Sequence, residues 1–373
     1  RSHRHVRSWL PPLGALSRKN RYMDFSFSSD QEELRGLANR VLTDRCTMEH
    51  LKEIEDAGGI DLALWRELAD LGIVGIGMPE AEGGAGLGFA EVAIVLEEVG
   101  RTVAQVPAMP VMGMAAPFLA EYAPAHLAGL ASGERIVTVA LHELVGDVHT
   151  PYLAAAGGTL TGVKTNVPFG TVADGFIVSA ADGLYYVDAK ASGVTVERQD
   201  ATDGIPDAKV TFNGAAAEKL AGIDALDRLI EYGQTSQSLI MAGVTAKAVE
   251  IMSDYVKERV QFERQIATFQ AVAQRAADCR IDSDAIKLTA WGAAMRLNDG
   301  LPAGENAASA KYWASEGGAR VVRACTHLHG GVGVDRDYPL HRYYLWAKKQ
   351  ELFLGGTTQS LLHLGKLLAD TPV

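Results

Sequence analysis

The sequence predicts an α+β fold in which helices come first, a small strand-rich region second and helices again last. Residues 23 to about 132 carry apolar side chains at helical spacing, and from about Gly133 the texture changes to short β-rich runs cut by Gly, Asp and Asn. From Asp224 onward the helical period returns, and the long segment TSQSLIMAGVTAKAVEIMSDYVKERVQF contains no proline. Periodicity alone supports that α+β reading and nothing finer.

The elements follow in order. Residues 1–22 hold six cations (Arg1, Arg4, Arg7, Arg18, Lys19, Arg21) and no acid. They read as a basic, disordered extension, either a transit-type leader or an upstream translated or vector-derived stretch. The latter is favoured because Met23 opens a sensible helical segment, MDFSFSSDQEELRGLANRVL. Ser28, Ser29 and Asp30 supply cap-type side chains before QEELRGLANRVL. DLALWRELADLGI and FAEVAIVLEEVGR read as further helices of a domain spanning 23–132, and the Pro and four Gly of the intervening PEAEGGAGLG force an irregular loop. RIVTVAL, GFIVSA, GLYYVDA and KVTFNG are the strand candidates of a β domain over 133–222. Residues 223–373 form the closing helical bundle.

Composition narrows the function class. At 373 residues, 47% hydrophobic and 22% charged, the chain is an ordinary globular protein with room for several packed layers. Its formal charge of −11, carried wholly by the part beyond the basic extension, argues against nucleic-acid binding, which depends on Lys and Arg neutralising phosphates. An anionic ligand needs a local basic patch instead. Cys46, Cys279 and Cys325 are widely spaced, which suggests neither a zinc site nor a disulfide framework and fits a reduced cytoplasmic setting. No apolar run is long enough to cross a membrane.

Three further segments raise a specific resemblance: PEAEGGAGLGFAEVAIVLEEVGR (Pro79 to Arg101), ERVQFERQIATFQAVAQRAAD (Glu258 to Asp278) and AKYWASEGGARVVRACTHLHGGVG (Ala310 to Gly333). With the closing run HLHGGVGVDRDYPLHRYYLWAKKQELFLGGTTQ (His327 to Gln359), they resemble acyl-CoA dehydrogenases in order and spacing, over about residues 23 to 373. The likeness extends to the degenerate, non-catalytic subunits of heterotetrameric bacterial enzymes acting on steroid side chains. It implies an amino-terminal helical domain, a middle β domain and a carboxy-terminal four-helix bundle. FAD is the implied cofactor, and a homologous subunit in an α2β2 assembly the implied partner, with the acyl-CoA held at that partner's site.

The resemblance also marks what has changed. The family's Tyr-Glu-Gly-Thr-Ser-Gln segment, whose glutamate removes the α-proton of the thioester, corresponds to Leu354 to Gln359, with Gly355 at the base position. A glycine can retain the backbone N–H that would polarise the thioester carbonyl, but it cannot take a proton. Some relatives carry the glutamate on the first helix of the bundle. That position falls near Gly233 and Gln234, which leaves Glu231 as a displaced candidate or as a simple helix-surface acid.

The flavin site of the family is built between subunits, and its two halves fare differently in this sequence. The half that reaches to a neighbour is matched by Arg259, Gln261, Phe262 and Gln270 and by the turn His327, Leu328, His329, Gly330, Gly331, with Thr357 and Gln359 of the closing segment as further cofactor neighbours. Arginine suits a pyrophosphate because its planar fork engages two oxygens at once. Glu263 departs from the glycine usual after the phenylalanine. In the half that holds the flavin ring, the expected Tyr-x-x-Thr-Glu-Pro is replaced by Thr138 to Leu144, and the aromatic-Ile-Thr-Asn-Gly segment by Thr165 to Gly170. His327, His329 and His341 cluster in sequence without acidic or cysteine ligands at matching spacing, so no metal is expected. The expected protein is therefore an enzyme subunit inactive alone. Two rivals remain: a self-sufficient homotetramer using Glu231, and a flavin-free scaffold or acyl-CoA-binding chain.

Overall fold

The computed structural model describes residues 26–370; the basic extension and Met23 lie outside the described residues. Helices α1 (Ser29–Arg45), α2 (Met48–Asp56), α3 (Leu62–Asp70) and α4 (Phe89–Thr102) open the fold, followed by α5 (Ala108–Pro110), a π-helical turn (Val111–Ala115) and α6 (Ala116–Tyr122). The cap signal at the start of α1 is realised as a capping box: the Ser28 hydroxyl accepts from the Gln31 N–H while the Gln31 side chain accepts from the Ser28 N–H. PEAEGGAGLG forms the expected loop, with Gly83 and Gly86 at positive φ (+81° and +66°).

The middle region is two packed four-stranded sheets. Strands β1 (Val137–Ala140), β4 (Gly175–Ala180), β5 (Gly183–Asp188) and β8 (Glu218–Gly222) form one, and β2 (Ala154–Ala156), β3 (Thr159–Pro168), β7 (Asp207–Ala216) and β6 (Val194–Gln199) the other. β1 runs parallel to β4, and every other pair is antiparallel. Between the sheets Phe176 and Phe212 meet edge to face at 6.4 Å, a contact worth roughly 0.5–1.5 kcal/mol beyond its buried area.

The closing bundle consists of α7 (Leu226–Glu258), α8 (Gln270–Asn298), α9 (Gly304–His329) and α10 (Leu340–Leu352), with α11 (Thr357–Asp370) packed on α9. The segment read as one long helix to Phe262 is shorter than the sequence suggested. α7 stops at Glu258 because Arg259 turns extended (ψ 121°), and Val260–Gln261 (β9) and Arg264–Gln265 (β10) pair as a small exposed hairpin. Among the described residues no helix is long and apolar enough to cross a membrane.

Candidate functional site

The sequence-predicted residues fall at two places on the bundle. At the far end of α7, Arg259, Gln261, Phe262 and Gln270 are all exposed on the hairpin and the start of α8. Phe262 and Glu263 form the hairpin tip with φ of +53° and +64°, and Phe262 is 84% exposed. Positive φ at both central residues is the primed-turn geometry that favours glycine, so Glu263 occupies its place against backbone preference. The departure noted in the sequence is thus a conformational one as well as a charge.

Tyr255, one turn before the end of α7, ties this hairpin to the His-Gly-Gly turn. Its ring stacks on His329 at 4.2 Å, and its hydroxyl donates to the His329 carbonyl at 3.3 Å. His329 itself is buried: Nδ1–H donates to the Cys325 carbonyl (2.8 Å), which leaves Nε2 to accept from the Tyr338 hydroxyl (3.2 Å). Its ring faces inward and fixes the turn, so its side chain is not a cofactor contact. Leu328 is half-buried against the core. His327 is exposed, Gly330 ends α9 at φ +62°, and nothing lies within 4 Å of a Cβ built on either Gly330 or Gly331. An open, glycine-lined surface with an arginine and an exposed aromatic, Phe262, edge to face with Phe269 at 6.1 Å, suits a phosphate-bearing planar ligand.

Thr357 and Gln359 do not join that surface. They lie beyond the other end of the 13-residue α10, about 20 Å along its axis. Gln359 caps α11 by accepting from the Gly356 N–H at 2.9 Å, so its side chain is already engaged. Gly355 sits between the helices at φ +102°, and its N–H donates to the Leu352 carbonyl at 3.3 Å. The donor that glycine was expected to retain is therefore spent within the chain. A Cβ at position 355 would point toward Gln359 and Ser360 of α11.

Leu354, 2% exposed and itself at φ +55°, turns inward from this loop. A Cβ placed on Gly233 would lie 2.4 Å from Leu354 Cδ1 and 2.5 Å from Met114 Cε. Of the positions where the resemblance puts the base, Gly355, Gly233 and Gln234, none carries an ionisable side chain, and the space beside Gly233 is filled with hydrocarbon. Glu231 lies two residues away on a helix, so it projects to a different side. It pairs with Arg228 at 3.2 Å and lies toward Gly304; burial raises its pKa, partly offset by Arg228. It does not face Leu354 or Gly355.

The β region closes on the same loop. His142 Nε2 accepts from the Leu354 N–H at 3.2 Å, and its ring lies 4.9 Å from that of Phe353. Burial, together with the neighbouring Lys164, Lys311 and Lys349, lowers the His142 pKa to about 4, so the ring is neutral and can accept. Two buried lysines brace this junction. Lys164 donates to the Leu141 carbonyl (3.2 Å), Glu143 (3.1 Å) and Ser179 (2.9 Å), while Glu143 also accepts from the Tyr152 and Leu153 N–H groups. Lys311 donates to the carbonyls of Gln350 (2.6 Å) and Glu351 (3.3 Å) at the end of α10. Burial pulls their pKa values down to about 8 and about 7. Sequence reasoning matched Lys164 only as the lysine opening a family segment and missed Lys311; a lone lysine within otherwise small or apolar helix and strand residues was the available signal for burial.

Among the described residues no group of three or more His, Cys, Asp or Glu side chains is placed to hold a metal.

This architecture and its sequence matches define an acyl-CoA dehydrogenase. Residues 28–129 match the acyl-CoA dehydrogenase N-terminal domain and residues 221–365 the acyl-CoA dehydrogenase C-terminal domain, and the chain belongs to that family. It is 38% identical to acyl-CoA dehydrogenase FadE27 of Mycobacterium tuberculosis, over 94% of this chain and all of that protein. A chain of a Tcur3481-Tcur3483 steroid ACAD variant superposes with a TM-score of 0.88 at 41% identity, covering 91% of this chain and 98% of its own. A chain of the ChsE4-ChsE5 complex from Mycobacterium tuberculosis gives 0.88 at 36% identity, covering 94% and 100%. Acyl-CoA dehydrogenases are FAD-binding flavoproteins.

Proposed function

We propose that this chain is the non-catalytic subunit of a heteromeric acyl-CoA dehydrogenase, lending the outer half of an FAD site to a homologous partner that carries the base. The observation that carries the reading is the direct His142–Leu354 bond, together with the lack of an ionisable side chain at Gly355, Gly233 or Gln234, where the resemblance puts the base. The β region and the 353–356 loop are joined there by that bond and by the His142–Phe353 ring contact at 4.9 Å, a closed contact that does not suit a flavin ring. The open surface of Arg259, Gln261, Phe262, Gln270, His327, Gly330 and Gly331 does fit the phosphate end of the cofactor. In such a site FAD supplies the hydride acceptor for α,β-desaturation. This chain's part is to hold the cofactor's charged tail and to exclude water.

Likeness to the Tcur3481-Tcur3483 steroid ACAD variant supports a steroid side-chain CoA ester as the substrate, bound at the partner's cleft. Coexpression with a homologous chain that retains the glutamate tests the assignment. Desaturation is expected only from the mixed complex and is lost on changing the partner's glutamate to glutamine, while Glu231→Gln in this chain leaves turnover intact. Normal turnover by this chain alone overturns the reading.

A further inference from the structure

Cys279 and Cys325, far apart in the sequence, are brought together by the packing of α8 on α9. The two helices run antiparallel, joined by residues 299–303, and two contacts set their register. Arg320 of α9 grips both oxygens of Asp282 of α8 (2.8 and 2.9 Å), and a Cβ built on Gly317 would lie 3.4 Å from Ile286. Roughly two turns beyond the Ile286–Gly317 contact, α8 presents Cys279 and α9 presents Cys325 to the same seam. Both side chains are buried, at 2% and 0% exposed, and both thiols are free. The Cys325 thiol donates to the Cys279 sulfur, so the two sulfurs are neighbours.

The pair is unequal. That hydrogen bond, helped by Arg275 one turn earlier on α8, lowers the Cys279 pKa against the opposing effects of burial and of Asp278 and Asp282. The same contact, together with burial, raises the pKa of Cys325. Cys46 has no such neighbour, and burial pushes its pKa up to about 12. One buried cysteine is ordinary packing, because the thiol behaves as a small hydrophobe. Two contacting sulfurs, one favoured as thiolate and the other keeping its proton, meet the requirements of dithiol oxidation.

We infer that Cys279 and Cys325 form a peroxide-responsive dithiol site, with Cys279 as the attacking sulfur and Cys325 as the resolving one. Hydrogen peroxide, small and neutral, is the oxidant that suits two buried thiols. The Cys279 thiolate attacks one peroxide oxygen and breaks the O–O bond; the sulfur becomes a sulfenic acid, and the departing hydroxide takes up the thiol proton as water. The Cys325 sulfur then attacks the sulfenic sulfur, forming the S–S bond and expelling the hydroxyl group, which leaves as a second water with the Cys325 proton. Two thiols lose two electrons and two protons, and one peroxide becomes two waters. The new bond links segments that lead to the open surface. α8 begins at Gln270, close behind the hairpin, and α9 ends at the His329 turn, where His329 Nδ1–H donates to the Cys325 carbonyl at 2.8 Å. The inference requires neither a partner subunit nor a bound flavin.

The test is treatment of the folded full chain with hydrogen peroxide, followed by alkylation in denaturant and peptide mass mapping. A linked Cys279–Cys325 peptide pair is expected, with Cys46 alkylated and the link removed by dithiothreitol. In C325S, dimedone traps a sulfenic acid at Cys279. In C279S, peroxide consumes the Cys325 thiol at least ~10-fold more slowly than in the parent, because the attacking thiolate is gone. Serine is close to cysteine in size, and the melting temperature of each variant checks its fold; where a variant does not fold, the peptide map of the parent decides alone. Alkylation of both Cys279 and Cys325 in the peroxide-treated parent, or oxidation of Cys46 in their place, overturns the site. A sulfenic acid trapped at Cys325 in C279S, with none at Cys279 in C325S, overturns the assigned roles.

Discussion

The two ends of α10 have opposite characters. Beyond its carboxy-terminal end, His142, Phe353 and Leu354 close the β region onto the bundle, and Lys164 and Lys311 lock the closure from behind. Beyond its amino-terminal end, the hairpin tip and the Gly330–Gly331 turn stand open, with Phe262 84% exposed. On the proposed reading, the exposed aromatic on a strained tip serves a partner, and the satisfied hydrogen bonds close this chain's own site. The contrast fits one half-site relinquished and the other retained.

The comparison breaks first at the buried ion pair. Lys164→Met leaves Glu143 buried beside Leu141 without its partner, and urea unfolding should show a loss of about 3–5 kcal/mol. The hairpin end should respond through binding rather than stability. Arg259→Ala is expected to weaken FAD retention of the mixed complex by ~30- to 100-fold while the melting temperature of this chain stays within a degree or so of the parent. Gly355→Glu sharpens the sealed end. Its φ of +102° is strained for any side chain, so the variant should lose about 1–2 kcal/mol and gain no turnover, because the new carboxylate points at α11.

The smallest effect is a pH profile. The folded pKa of His142, about 4, lies below its unfolded value, so protons bind the unfolded chain preferentially between those values. Stability from this group is complete above about pH 6.5 and is lost as pH falls from there toward 4. His142→Leu should cost about 1 kcal/mol at pH 8 for the unsatisfied Leu354 N–H. The difference between parent and variant should then shrink as the buffer is taken from pH 6.5 toward 4; a constant difference would show that His142 is not held neutral.

Much of the architecture was legible because helical and strand periods are local signals. The order of helices, sheets and helices, the Ser28 cap and the glycine loop before α4 all follow from neighbouring residues. The overrun of α7 to Phe262 was not legible, since the hairpin is decided by Arg259 turning extended rather than by a proline or glycine. At the site, the resemblance supplied candidate positions but not their surroundings. That Leu354 fills the space beside Gly233, that the Gly355 N–H bonds Leu352, and that His329 faces inward depend on contacts between distant segments. Glu231 looked near the base position in number and is turned aside by helical geometry.

Flavin counting tests the division between the two ends most directly. The mixed complex purified from coexpression should contain one FAD for each pair of homologous chains, and this chain purified alone should be colourless near 450 nm. One FAD per chain in either preparation would contradict it, since the closed His142–Leu354 junction would then have to accommodate a flavin ring.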